Sequence, residues 1–199
     1  MRIAIFGLSG KMGRAVSKLV SEVFPIDQAD VFLDFSVANA VEEHIQIAKS
    51  RKKPIVIGVT GLTPTTYQAI EKAGKEIPIL YSPNFSIGIA LFHRFSKELS
   101  KLENFTLNIT EEHHIHKKDA PSGTALSLAK ALVPLQATIE TIRQGDTTGK
   151  HTLHFDSDAE SITLSHIAHS KDAFAKGALM AAKFLLGKIP GIYTLEQVL

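Results

Sequence analysis

The residues able to do chemistry are concentrated in Glu111-Glu112-His113-His114-Ile115-His116-Lys117-Lys118-Asp119-Ala120-Pro121-Ser122-Gly123-Thr124-Ala125, where three imidazoles, two lysines and three carboxylates fall within nine residues. Histidine titrates near neutrality, and lysine is an ammonium at neutral pH, so the cluster can move a proton and hold negative charge. Pro121-Ser122-Gly123-Thr124 leads into Ala125-Leu126-Ser127-Leu128-Ala129-Lys130-Ala131-Leu132, whose spacing predicts a helix over 125–133 with proline and hydroxyl groups at its start. A helix start presents unpaired N–H groups and partial positive charge, which favour an anion. Together these features predict a pocket for a small, multiply anionic molecule that also needs a proton. For any single histidine the plainer alternative is a solvated polar loop before a helix. A metal site is another: His113, His114, His116 and Asp119 are ligands in type, and His151, His154, His166 or His169 could add one more. The neighbouring lysines would repel a cation.

Several elements must position this cluster. Phe105-Thr106-Leu107-Asn108-Ile109-Thr110-Glu111 alternates apolar and polar residues, as a half-buried strand does, and delivers the histidines at its end. Before it, Ile87–Leu102 predicts a long helix that passes between two domains. After the helix over 125–133, a strand is expected at 138–143, a turn-rich loop at 144–151, and two strands at 151–155 and 160–166. A final apolar helix spans about 173–186.

The N-terminus has a second pattern. Arg2-Ile3-Ala4-Ile5-Phe6 runs into Gly7-Leu8-Ser9-Gly10-Lys11-Met12-Gly13 and then Arg14-Ala15-Val16-Ser17-Lys18-Leu19-Val20. Strand, glycine turn and helix is the order in which a dinucleotide fold begins: one glycine for the tight turn, one for approach of the pyrophosphate, one for helix–strand packing. A glycine turn with no ligand is the alternative. Helices at 37–50 and 63–73 and strands at 54–61 and 77–81 follow, the last leaving through Ser82-Pro83-Asn84-Phe85-Ser86-Ile87-Gly88. Asp34 lies at the distance where a dinucleotide fold carries its ribose-binding acid, a role that the family resemblance given below does not support.

Composition narrows the field. A net charge of +2 with scattered Lys and Arg leaves no nucleic-acid footprint. The chain has no cysteine, which excludes disulfides and thiolate chemistry. No apolar run approaches the roughly 20 residues of a membrane span. Ile3-Ala4-Ile5-Phe6 runs straight into glycine, unlike a secretory leader, so the expected setting is the cytoplasm.

The pattern Glu-x-His-His-x-x-Lys-x-Asp-x-Pro-Ser-Gly-Thr-Ala at residues 111–125 resembles the signature of the dihydrodipicolinate reductase family. Gly-x-x-Gly-x-Met-Gly at residues 7–13, Asp34-Phe35-Ser36, Gly58-Val59-Thr60-Gly61 and Asn84-Phe85-Ser86 resemble further family segments. The resemblance implies an α/β protein: an abridged Rossmann-type dinucleotide-binding domain at 1–85 with a returning helix at 173–199, and an α+β substrate and oligomerisation domain at 86–172. It implies hydride transfer from NADH or NADPH to 4-hydroxy-tetrahydrodipicolinate, a small dicarboxylate, in diaminopimelate and lysine biosynthesis, by a homotetramer or, with a reduced sheet, a dimer. His113 and Lys117 become the acid–base pair, brought together on a helical turn or by a loop. His114, Ser122, Gly123 and Thr124 hold the substrate carboxylates, with Asp119 orienting Lys117 or a histidine. Gly7, Leu8, Ser9, Gly10, Lys11, Met12, Gly58, Val59, Thr60, Ser82, Pro83, Asn84 and Phe85 hold the cofactor; no resident metal is implied. Three departures stand out. The family's second strand, its helix and the connection after it are absent between about Val20 and Asp30, which removes the adenosine-side contacts. Val59 replaces a threonine, and Lys171 replaces an arginine, keeping the charge without the bidentate fork. A non-catalytic relative that binds the dicarboxylate but holds cofactor weakly is the alternative these departures raise.

Overall fold

The computed structural model describes residues 1–133 and 135–199. In chain order it contains β1 (Ile3–Phe6), α1 (Lys11–Ser17), β2 (Val31–Asp34), a 3-10 turn (Ala38–Ala40), α2 (Val41–Ser50), β3 (Ile55–Ile57), α3 (Pro64–Gly74) and β4 (Pro78–Tyr81). These are followed by α4 (Ile87–Leu99), β5 (Thr106–His113), α5 (Gly123–Ala131), β6 (Ala137–Arg143), β7 (Gly149–Asp156), β8 (Ser161–Ala168), α6 (Asp172–Leu185) and β9 (Gly191–Tyr193). The chain divides into two compact units, Met1–Ile87 with Lys171–Leu199, and Gly88–Ser170.

The first unit is built on a parallel sheet of order β1-β2-β3-β4-β9. Parallel strands covered on both faces read as continuous apolar runs, and Val31–Asp34 and Ile55–Ile57 are buried throughout. Phe6, Phe32, Ile55, Ile57 and Ile79 pack on one face with Val41, Ile45 and Ala48 of α2 and Ile70 and Ala73 of α3. The alternate residues Ile3, Val31, Leu33, Val56 and Leu80 are buried on the opposite face. There α6 lies against β2, β3 and β4, and α1 packs on α6. Thr63 caps α3 as its sequence suggests, accepting from the Thr66 N–H at 3.2 Å, with Pro64 in the first turn.

The steps β1 to β2 to β3 to β4 all move the same way across the sheet. Right-handed crossovers would then put all three intervening helices on one face, yet α1 lies opposite α2 and α3. Residues 18–30 account for the difference. The Phe24 N–H donates to Ile3 O at 2.8 Å on the side of β1 turned away from β2, and the Asp30 N–H donates to Arg2 O at 2.8 Å. Ala29, between them, is already buried in the α2–α3 core. The connection therefore wraps around the outer edge of β1. A full dinucleotide sheet, of order 3-2-1-4-5-6, has two more strands beyond that edge. The missing strand expected between Val20 and Asp30 thus corresponds to a sheet in which β1 is outermost.

The sequence reading places no strand after the last helix, but Gly191-Ile192-Tyr193 pairs in parallel with Pro78-Ile79-Leu80. A three-residue strand has no periodicity to recognise; its anchor is tertiary, because Ile192 sits where a Cβ on Gly74 would be. Gly177 is a second close approach, since a Cβ there would run into Phe85 O. Gly177→Ala is expected to cost about 3 kcal/mol by overpacking; a thermal midpoint unchanged from the parent would contradict this contact.

The second unit is a four-stranded sheet of order β6-β5-β7-β8, with β6 parallel to β5 and the other pairs antiparallel. On its covered face, Leu107, Ile109, Leu153 and Phe155 pack with Phe92 of α4 and Ala125 and Leu128 of α5. Further along the same face the row turns polar, to Glu111, His113 and His151, all buried. The observed elements correct the expected ones in three places: β5 continues to His113, β7 begins at Gly149 inside the anticipated loop, and α4 ends at Leu99.

Candidate active site

Strand alternation sets the centre of the site. Glu111 and His113 are two residues apart on β5, so both point to the covered face; β6 brings Arg143 opposite His113, and β7 brings His151 opposite Glu111. The Glu111 carboxylate is the hub. One oxygen pairs with His113 Nδ1; the other accepts from Arg143 Nη2 at 2.7 Å and from the Ser122 N–H at 3.1 Å. Ser122 is the N-cap of α5, its Oγ accepting from the Ala125 N–H at 3.2 Å and meeting His151 Nε2 at 3.2 Å. His113 and His151 stand edge to face with ring centroids 5.2 Å apart. The head of α5 is thus tied to the strand that carries His113.

Arg143, His113 and the Ser122 N–H together draw the Glu111 carboxyl below its usual range, against burial, the largest single influence, which would raise it. Burial pulls His113 down, only partly offset by Glu111. With Nδ1–H donated to Glu111, a neutral His113 leaves Nε2 as its acceptor atom. His151 is pushed down to about 3, chiefly by burial and next by the charge of His113. The unfolded chain therefore binds a proton at residue 151 that the folded chain refuses, so stability falls as pH drops from 6.5 toward 3. At pH 5 the loss should be about 2 kcal/mol. A urea-midpoint series from pH 7.5 to 4.5 should show it, with a flatter slope in His151→Asn.

The other sequence-predicted residues are placed as follows. Lys117 lies in a loop, its N–H donating to His114 O at 3.1 Å, so of the two arrangements expected for 113–117 the chain adopts the loop rather than the helical turn. Its Nζ reaches both Asp119 oxygens at 2.8 Å. His114 is anchored by its N–H on Thr147 O at 2.9 Å and tilts against His116. Gly123 opens α5 with open space beside it, since a Cβ there would meet nothing within 4 Å. Thr124 follows, half-buried. Among the described residues the alternative metal set of His113, His114, His116 and Asp119 is not what converges; Glu111, His113 and His151 do, with ligand-type atoms within 4.8 Å of one another. Arg143 and the Ser122 N–H already occupy that carboxylate, and both favour an anion.

Sequence reasoning assigned no role to Glu111 or Arg143, and offered His151 only as one possible further ligand of the alternative metal site. For Glu111 a signal exists: an acid two residues before a histidine on the apolar side of an alternating strand must be buried with it. Arg143 and His151 come from other strands, through a register that local pattern does not reveal.

In the first unit Gly7, at φ +79°, turns the chain so closely over β2 that a Cβ would lie 2.5 Å from Phe35 O, and Gly13 packs α1 onto Gly7 and Leu8. Gly10 caps α1, with Lys11 and Met12 as its first residues and Leu8 and Ser9 exposed in the turn. Gly58 is covered by the Phe35 ring, which meets Phe85 edge-on at 5.6 Å. Val59 is buried and Thr60 exposed at the end of β3. After β4, Ser82 Oγ donates to Asn84 O at 2.6 Å, Pro83 is exposed, and Asn84 Oδ1 accepts from the Ser86 N–H at 2.8 Å. The glycines are positions of close packing, and the strand, glycine turn and helix that they build is the order with which a dinucleotide-binding fold begins, so this part of the chain fits a nicotinamide cofactor.

A parallel sheet with helices on both faces, joined to a second sheet that gathers histidine, lysine and arginine, places the protein in the Rossmann-like α/β class. Residues 22–85 match the family model described as dihydrodipicolinate reductase, N-terminus, and residues 88–199 match dihydrodipicolinate reductase, C-terminus. A 4-hydroxy-tetrahydrodipicolinate reductase of Caldanaerobacter subterraneus subsp. tengcongensis is 38% identical over 245 aligned residues, covering 100% of this chain and 98% of that protein. The protein of the same name from Thermosipho africanus is 36% identical over 213 residues, covering 100% and 98%. Among solved structures, a dipicolinate-bound dihydrodipicolinate reductase from Paenisporosarcina sp. TG-14 superposes with a TM-score of 0.83 at 22% identity, covering 100% of this chain and 99% of that one. The chain belongs to the dihydrodipicolinate reductase family.

Proposed function

We propose that this chain is an oxidoreductase that reduces 4-hydroxy-tetrahydrodipicolinate to tetrahydrodipicolinate with NADH or NADPH, the 4-hydroxyl leaving as water, on the diaminopimelate route to lysine. The observation that carries this reading is the Glu111 network, which fixes a neutral histidine beside an arginine and the head of a helix. The bound nicotinamide supplies the hydride. Gly7–Met12, Gly58–Thr60 and Ser82–Phe85 hold and orient it, within the first compact unit, Met1–Ile87 with Lys171–Leu199. Residues 86–172 hold the substrate.

In that second unit, Gly123, Thr124 and His114 take the carboxylates, with Ser122 fixing the helix head through its two engaged groups. Arg143 Nε, His114 Nδ1 and His151 Nδ1 are buried and have no hydrogen-bond partner among the described residues, which suits an anionic ligand. Lys117 delivers the proton to the reduced ring from Nζ and Asp119 steadies it; His113 Nε2 relays rather than initiates, because burial keeps that ring neutral. The face of the second sheet away from this site, with Thr163, Ser165 and Ile167 exposed on β8, is the surface through which copies assemble, as a tetramer or a dimer. The enzyme works in the cytoplasm.

The test is nicotinamide oxidation on freshly generated 4-hydroxy-tetrahydrodipicolinate, with NADH and NADPH run separately. Turnover with either establishes the reductase. A well-folded chain inert with both would leave only a dicarboxylate-binding relative.

A further inference from the structure

The parallel unit keeps one side of a dinucleotide site and has lost the other. In such sheets the ligand lies at the carboxyl ends of two adjacent strands whose exit loops diverge to opposite faces. β1 and β2 still do this, one leading to α1 and the other to α2, and Gly7, whose Cβ would lie 2.5 Å from Phe35 O, lets the two exit loops approach closely. On the β3 and β4 side, the Gly58–Thr60 and Ser82–Phe85 loops are in place. On the other side, no strand lies beyond β1 among the described residues, and the segment 18–30 closes that edge.

The acid that takes the adenosine ribose hydroxyls normally ends a strand on that lost side. Asp34 stands at a suitable distance in sequence, but it belongs to β2, is fully buried and is already engaged. It accepts from the Ser36 N–H at 3.0 Å and Ser36 Oγ at 2.6 Å, and pairs with His44 Nδ1 at 2.8 Å. Phe6 stacks on His44 with ring centroids 3.8 Å apart, which holds the pair in place. Lys11, Arg14 and Lys18 are exposed along α1 and offer a diffuse positive field that salt screens.

We infer that this chain grips its donor by the nicotinamide, ribose and adjoining phosphate alone, so that reduced nicotinamide mononucleotide serves in place of NADH or NADPH. The inference rests on the reductase reading above. The hydride leaves the same ring carbon in all three donors, so the chemistry is unchanged; what differs is whether remote binding energy from the adenosine is used.

Two readouts test it on the full chain. Fluorescence titration with NADH, NADPH and reduced nicotinamide mononucleotide should give dissociation constants within about tenfold of one another. Neither 5′-AMP nor 2′,5′-ADP at millimolar concentration should displace NADPH. Turnover with the mononucleotide should likewise show kcat/KM within about tenfold of that with NADH. A larger loss with the mononucleotide, or displacement by either adenosine fragment, overturns the inference while NADH turnover leaves the reductase standing. If Lys11 or Arg14 reads the 2′-phosphate, NADPH binding will exceed NADH by more than that margin, and the inference fails in the same way. A folded chain that binds none of the three donors sinks both readings.

Discussion

Lys117→Ala is expected to lower kcat by about 10²–10⁴-fold, the range for removing a positioned proton donor, with a thermal midpoint close to that of the parent. The two effects separate because of where Lys117 sits. Its ion-pair partner among the described residues is Asp119, whose side chain is 58% exposed, and exposed pairs contribute about 0–1 kcal/mol. Nothing in the fold rests on the ammonium, so a loss confined to kcat would mark it as the proton donor. A variant with unchanged kcat would exclude that role, whereas a large fall in midpoint would assign Lys117 to the structure instead. His113→Ala should behave differently, losing activity and stability together, because its ring is packed against Glu111 in the interior.

Glu111→Ala should be the most destabilising single change in the second unit. It strands the half-buried Arg143 guanidinium, the His113 Nδ1–H and the Ser122 N–H at once. Removing one partner of a buried pair costs about 3–5 kcal/mol, or roughly 10 °C in midpoint for a chain of this size. Glu111→Gln keeps an acceptor for Arg143 and Ser122 and should recover most of the stability, but not the orientation of His113. Because the folded carboxyl is drawn below its ordinary value of 4.5, the stability it confers is present above that pH and is lost as pH falls below it. Urea titrations of both variants check this. Equal losses in Ala and Gln would show that charge rather than hydrogen bonding holds the site together.

Where local pattern determined structure, the sequence could be read: the Thr63–Pro64 helix start, the buried runs of β2 and β3, the alternation leading to His113. The resemblance identified the missing strand beside β1, because it matched Asp30–Ser36 to a later family segment rather than to the second strand. What could not be read depends on partners distant in the chain. Arg143 reaches Glu111 only because β6 runs parallel to β5 in a register that aligns it with His113. β9 is held by Ile192 against Gly74, over a hundred residues earlier, with no periodicity of its own. The path of 18–30 around the sheet is likewise invisible from composition, since its consequence lies in which face α1 occupies.

That path bears on what the outer edge of the shortened sheet can pair with. Removing strands from a parallel sheet leaves a row of unpaired amides and carbonyls on the new outermost strand, a template onto which another chain can add. Here the Phe24 N–H takes up Ile3 O on that row, and the Arg2–Asp30 ion pair at 2.9 Å places charge beside it. Charge beside an edge strand and a covering segment are both devices that oppose strand addition. The loss of a whole strand–helix unit was thus accompanied by a stopper drawn from the connection itself, which turns a sticky seam into ordinary surface.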